Sequence, residues 1–167
     1  MSKPLVVIVM GSDSDLPVME ASFDVLRKFD IPFEAHVTSA HRTPVRTKEI
    51  ITKAEEEGCK VFIAAAGMAA HLAGAVAATT TKPVIGVPIE SSLDGLDALL
   101  STVQMPPGIP VGSVAIGKAG AKNAGYLAAQ ILSTSDEAVA EALRNERQAN
   151  AEAIYEKDAA LQEKLKG

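Results

Sequence analysis

Six consecutive apolar residues, Leu5-Val6-Val7-Ile8-Val9-Met10, run into Gly11 near the start of the chain. They do not alternate with polar residues, so a strand made of them is buried on both faces. Strands of that kind belong to parallel sheets covered by helices. Comparable runs return at Lys60 to Ala65, Pro83 to Pro88 and Val111 to Ile116, with a more polar one over Phe33 to Thr38. Segments of helical spacing lie between and after them: Val18 to Phe29, Val45 to Glu57 stopped by Gly58, Ala69 to Thr79, Leu96 to Val103, and Ala121 to Leu132. The proline-rich Met105 to Pro110 is read as a fixed loop. Regular alternation of this sort predicts an α/β protein, a three-layer flavodoxin-like sandwich with a central parallel sheet and right-handed crossovers.

Aromatic residues are only 4% of the chain, so its core must be Val, Ile, Leu and Ala packed closely. We expect one catalytic domain over residues 1–134 and a charged helical tail over 135–167. The tail's sparse apolar positions are Val139, Leu143, Ile154, Leu161 and Leu165, and so polar a helix is expected to pack on a neighbouring subunit, the alternative being a helix that covers its own domain or frays. Removing it at Ser135 would then change the mass in solution. A net charge of −5 argues against a nucleic-acid surface. No apolar run is long enough for a membrane span, and Met1-Ser2-Lys3-Pro4 leads straight into a strand too short for a signal-peptide core. The expected location is the cytoplasm. The lone Cys59 can form no internal disulfide, and no Cys/His cluster offers a metal site.

In an open α/β sheet, ligands bind at the carboxyl ends of the strands. Four junctions there carry unusual residues. Gly11-Ser12-Asp13-Ser14-Asp15 joins hydroxyls and backbone N–H groups to a helix start, which suits a phosphate, while Asp15 can accept from ribose hydroxyls. Ser39-Ala40-His41-Arg42-Thr43-Pro44 places a histidine and an arginine side by side, with Thr43 read as a helix cap and Pro44 as the first helical residue. Ala66-Gly67-Met68-Ala69-Ala70-His71-Leu72 lets a ligand approach the backbone, with His71 in the first helical turn. Gly117-Lys118-Ala119-Gly120 leads into the last helix of the domain. All four are expected to converge on one edge. His36, within a strand, is read as a packed or surface residue. The set suits a phosphorylated small molecule and proton transfer.

Taken together, Val9 to Asp15, Ser39 to Pro44, Ala69-Ala70-His71-Leu72, Gln104-Met105-Pro106 with Gly108 to Val111, and Gly117 to Gly120 resemble class I N5-carboxyaminoimidazole ribonucleotide mutase. That family is the catalytic component of phosphoribosylaminoimidazole carboxylase. The resemblance implies interconversion of N5-carboxyaminoimidazole ribonucleotide and 4-carboxy-5-aminoimidazole ribonucleotide in purine synthesis, with no metal, biotin or nucleotide cofactor. It implies that Ser12, Asp15 and Arg42 hold the ribose phosphate, that His41 gives and takes the proton, and that His71 lies in a loop closing over the ring. Gly11, Asp13, Ser14, Ser39, Ala40, Ala66, Gly67, Met68 and Leu72 complete the expected substrate site. A homo-octamer with sites at subunit boundaries and coupling to an ATP-dependent carboxyaminoimidazole ribonucleotide synthetase are further implications.

The chemistry asks for little. Protonating the carbamate nitrogen releases CO2, carbon 4 of the enamine-like ring attacks it, and the proton on that carbon is removed. One imidazole, with an ordinary pKa of about 6.5, can serve both transfers. The small residues from Ala64 to Ala70 would confine the CO2. The chain departs from the family pattern at Ala65 and Met68, where glycine is common, at Ala73, where proline is common, and in Glu90 to Asp94, which is one residue short. A sister branch carboxylates aminoimidazole ribonucleotide directly and carries lysine after the loop histidine; Arg42 favours the mutase. A non-catalytic nucleotide- or flavin-binding module is the alternative of another class, disfavoured by the scarcity of aromatics near these loops.

Overall fold

The apolar runs become strands because they have nowhere else to hide. A computed structural model describes residues 3–166; Met1, Ser2 and Gly167, at the ends of the two expected segments, lie outside the described residues. Strands β1 (Val6–Met10), β2 (Phe33–Val37), β3 (Val61–Gly67), β4 (Val84–Ile89) and β5 (Gly112–Ser113) form one parallel sheet in the order β2-β1-β3-β4-β5. This is the flavodoxin-like order expected from the pattern, and its direction reverses between β1 and β3, which opens a crevice at their carboxyl ends.

Successive side chains of β1 alternate between two cores. Val6, Ile8 and Met10 join Ile63 and Val87 beneath α1 (Leu16–Lys28) and α5 (Gly117–Ser133). Val7 and Val9 join Phe62 and Ala64 beneath α2 (Pro44–Glu57) and α3 (Leu72–Ala77). Alanines on α5 (Ala121, Ala124, Ala128) keep it close to α1, and Ser22 Oγ donates to the Ala121 carbonyl at 2.5 Å. Helix α4 (Leu96–Val103) packs beside β4 and leaves Leu96, Leu100 and Val103 exposed.

Three expectations need correction. Val111 to Ile116 yields only the two-residue β5, because Pro110 has no N–H to pair and the chain must leave the sheet edge after Val114 to turn under α5. Helix α5 starts at Gly117 rather than Ala121, so the Gly-Lys-Ala-Gly stretch is its first turn instead of a loop. Helix α3 is shorter than Ala69 to Thr79, since Met68 adopts a left-handed backbone (φ 55°) and the chain reaches helical geometry only at Leu72.

The tail is one helix, α6 (Glu137–Lys166), and its apolar residues divide. Val139 and Leu143 are buried in the α1/α5 core. Ile154, Leu161 and Leu165 are exposed. Glu146 fastens the helix to the domain by pairing with Lys28 Nζ and accepting from Tyr126 Oη at 2.6 Å. Burial works to raise the Glu146 pKa, but the hydrogen bonds from Lys28 and Tyr126 outweigh it and hold the carboxyl low; burial and this partner push Tyr126 up to about 12. From residue 147 to 166 every residue is exposed. Cys59 is buried behind β3 with Sγ 3.3 Å from the Val61 carbonyl, and burial pushes its thiol up to about 11.

Candidate active site

A cavity of about 510 Å³ opens at the carboxyl ends of β1, β2, β3 and β4. Its floor is the switch point of the sheet, and four segments form its walls.

The first wall is the β1–α1 turn. Ser12 caps a short 3-10 turn over Asp13–Asp15: its Oγ accepts from Ser14 N at 3.2 Å, and its own N–H donates to Asp15 Oδ2 at 3.3 Å. This capping box fixes the hydroxyls and turns Asp15 inward, where it is 7% exposed. Asp13 does not line the cavity; its Oδ1 accepts from Ser12 Oγ at 3.2 Å. Burial raises the Asp15 pKa above its ordinary 3.8, against hydrogen bonds from Ser12 and Ser14 that lower it and a smaller upward push from Asp13.

A carboxyl raised by folding favours the folded state while protonated, and that advantage is lost as pH rises through the raised value. Near neutrality the ionised Asp15 therefore opposes folding. Asp15→Asn, neutral at every pH and still able to accept from Ser12 N, is expected to melt higher than the parent near neutrality. The gap should close as pH falls toward 3.8. Melting curves with a pH-independent gap would contradict this assignment.

The second wall is the β2–α2 loop. Pro44 opens α2 as the pattern predicts, but Thr43 makes no side-chain cap. Its hydroxyl instead accepts from Ser39 N at 2.9 Å and meets Thr38 Oγ1 at 3.1 Å, while Ser39 Oγ accepts from Arg42 N at 3.1 Å. The loop is thus closed on itself and holds His41 and Arg42 outward. Arg42 Nη2 donates to the Gly11 carbonyl at 3.2 Å, which joins the first two walls.

Ala66, Gly67, Met68, Ala69, His71 and Leu72 of the β3–α3 segment make the third wall. A Cβ on Gly67 would approach the Ile89 carbonyl to 3.2 Å, so the backbones of β3 and β4 are already near contact. His71 Nδ1 lies 2.8 Å from His41 Nε2, with the rings edge to face at 79°. One of these nitrogens must carry the shared hydrogen, and protonating both would set two donors against each other.

Ile89, Glu90 and Ser91, at the end of β4, form the fourth wall. The sequence reading missed them as site residues because Glu90 to Gly95 looks like an ordinary polar turn. The strand-end rule applied to β4 as it was to β1 would have found them. The junction at Gly117 to Gly120 does not line this cavity; Lys118 lines a separate one of about 390 Å³ with Lys28, Lys122, Tyr126 and Glu146. His36 is half-buried on the edge strand, 3.4 Å from Glu34, and away from the cavity. Among the described residues no three His, Cys, Asp or Glu gather to hold a metal, and no helix is long and apolar enough to cross a membrane.

A family model described as AIR carboxylase matches residues 5–153. The N5-carboxyaminoimidazole ribonucleotide mutase of Bacillus subtilis (strain 168) is 53% identical over 92% of this chain and 96% of its own. The protein of the same name from Methanocaldococcus jannaschii is 48% identical over 97% of this chain and 100% of its own. The crystal structure of Treponema denticola PurE superposes with a TM-score of 0.87 at 33% identity, covering 95% of this chain and 98% of that one.

Proposed function

The chain belongs to the AIR carboxylase family, and on that premise we propose that it interconverts N5-carboxyaminoimidazole ribonucleotide and 4-carboxy-5-aminoimidazole ribonucleotide, with His41 as the proton carrier. It is a mutase of purine biosynthesis. The observation that carries the mechanism is the position of His41. Its imidazole stands at a cavity bounded on one side by the hydroxyls of the β1–α1 turn and on another by a wall of small residues.

In this reading Ser12 and Arg42 hold the phosphate, through a hydroxyl and a guanidinium on joined loops, and Asp15 accepts from the ribose. Ser14, Ser39, Ala40, Gly11 and Leu72 shape the pocket around them, with Asp13 acting through Ser12. Protonated His41 gives its proton to the carbamate nitrogen as the N–C bond breaks and CO2 departs. The C4–C bond then forms, and His41 takes the proton from carbon 4, which restores its starting state. Ala66, Gly67 and Met68 keep CO2 beside the ring between the two steps.

The test is formation of 4-carboxy-5-aminoimidazole ribonucleotide at low bicarbonate from two starting mixtures. Product from the N5-carboxy compound alone supports the mutase. Product only from aminoimidazole ribonucleotide, rising with bicarbonate, would make the protein a direct carboxylase.

The same reading includes a cytoplasmic homo-oligomer, an octamer, with the tail on a neighbouring subunit and the labile substrate supplied by an ATP-dependent synthetase. Exposure of Ile154, Leu161 and Leu165 supports the placement of the tail. Because Val139 and Leu143 are core residues, the informative truncation falls after Asn150 rather than at Ser135. Light scattering should report a smaller assembly for that truncation; an unchanged mass would rule the tail contact out.

A further inference from the structure

His71 is held in place from outside the cavity. Ser101, in the last turn of α4, turns its hydroxyl toward the β3–α3 loop. Its Oγ accepts from Ala70 N at 2.9 Å, lies 3.4 Å from the Met68 carbonyl, and donates back to the Asp97 carbonyl at 2.7 Å. With its proton committed to its own helix, the oxygen is left as an oriented acceptor for the loop. Ala70 is 1% exposed, so its N–H has little access to water as a substitute. The loop needs such a fastening, since Met68 is held at φ 55°, a conformation that a side chain disfavours. His71 follows Ala70 directly, and its Nδ1 reaches His41 Nε2.

We propose that Ser101 is a positioning residue for the reaction, fastening the β3–α3 loop so that His71 holds the imidazole of His41 in its working orientation. The inference rests on the role given to His41 above. Ser101 itself does not line the cavity. Without the hydroxyl, Met68 is free to relax toward an ordinary backbone conformation, and the Ala70–His71 peptide moves with it. The Ser12, Arg42 and Asp15 side of the cavity contains no part of this loop, so substrate affinity should survive while the chemical step suffers. The other charged groups lining the cavity, Arg42, Asp15 and Glu90, are left as they were.

The experiment compares Ser101→Ala with the parent by two measurements. Hydrogen exchange over residues 66–75 should show the Ala70 amide exchanging roughly tenfold faster in the variant, the loss of one hydrogen bond's protection. Steady-state kinetics should show kcat lower by about tenfold or more with KM within about threefold, the signature of a misplaced group rather than weakened binding. Unchanged exchange at Ala70, or a kcat within about twofold of the parent, would overturn the proposal. So would a loss confined to KM. A parent enzyme that fails to interconvert the two carboxylated ribonucleotides would refute the function itself, while the exchange measurement would still decide whether Ser101 fastens the loop.

Discussion

His41→Asn is expected to lower turnover by roughly 10²- to 10⁴-fold, the range that a positioned acid–base group supplies, while leaving the protein folded and able to bind its ribonucleotide. The side chain is exposed, so few packing contacts are lost on replacing it. The loop that carries it is closed by bonds that do not involve the ring: Ser39 to Thr43 and Arg42 to Ser39. Asparagine ends short of the Nε2 position, so the 2.8 Å contact with His71 is given up together with the ring. What asparagine lacks is a proton it can give near neutrality and take back. Turnover within about tenfold of the parent would show that another group moves the proton. A large loss of ligand affinity instead would recast His41 as a binding residue. Titration calorimetry with the product, beside the rate assay, separates these results.

The largest effect on folding is expected at Gly120. A Cβ built there would lie 1.5 Å from the Ala115 carbonyl oxygen, far inside any non-bonded contact, and 2.5 Å from its carbon. Neither side can retreat. Ala115 is tethered through Val114 N, which donates to the Gly86 carbonyl at 3.1 Å. Helix α5 is held on its far side by the Ser22 bond to Ala121 and by Gly125, where a Cβ would already meet that of Val25 at 2.9 Å. Gly120→Ala should therefore destabilise by about 4 kcal/mol or more and lower Tm by roughly 10 °C or more. Gly58→Ala is the control. It places a side chain in a left-handed position (φ 101°) with open space around it, and should cost only about 1 kcal/mol. Similar melting points for the two variants would mean that the turn beneath α5 is far more pliable than its contacts imply.

Gly120 marks where reading the chain by local pattern stops working. The strands β1, β3 and β4 are legible because unbroken Val and Ile runs have only one comfortable environment, and the first three cavity walls are legible because Ser, Asp and His interrupt those runs at their carboxyl ends. Pro44 and Gly58 bound α2 where the sequence places them, since each acts on its own φ angle. Local propensity misleads at α5: glycines are poor helix formers, so Gly117 to Gly120 reads as a loop, yet contact with Ala115 demands glycine inside the helix. It misleads again at β5, where a Val-rich run on the sheet edge is pulled away by the turn that follows. Thr43 reads as a cap from its position, but the loop claims its hydroxyl first. Ser101 carries no sequence signal at all, because a serine within a helix acquires its partner only when a loop from elsewhere in the chain delivers one.

The burial of Cys59 has a consequence for how this protein meets its surroundings. A thiol pushed up to about 11 and shut behind β3 is almost entirely in its unreactive protonated form near neutrality. It is the only cysteine in the chain. The chain therefore offers oxidants and alkylating reagents no ready thiolate. Any cysteine introduced on the surface, at exposed Ile154 for instance, would react alone, so a single fluorophore or spin label could be placed on the tail without first removing a native thiol.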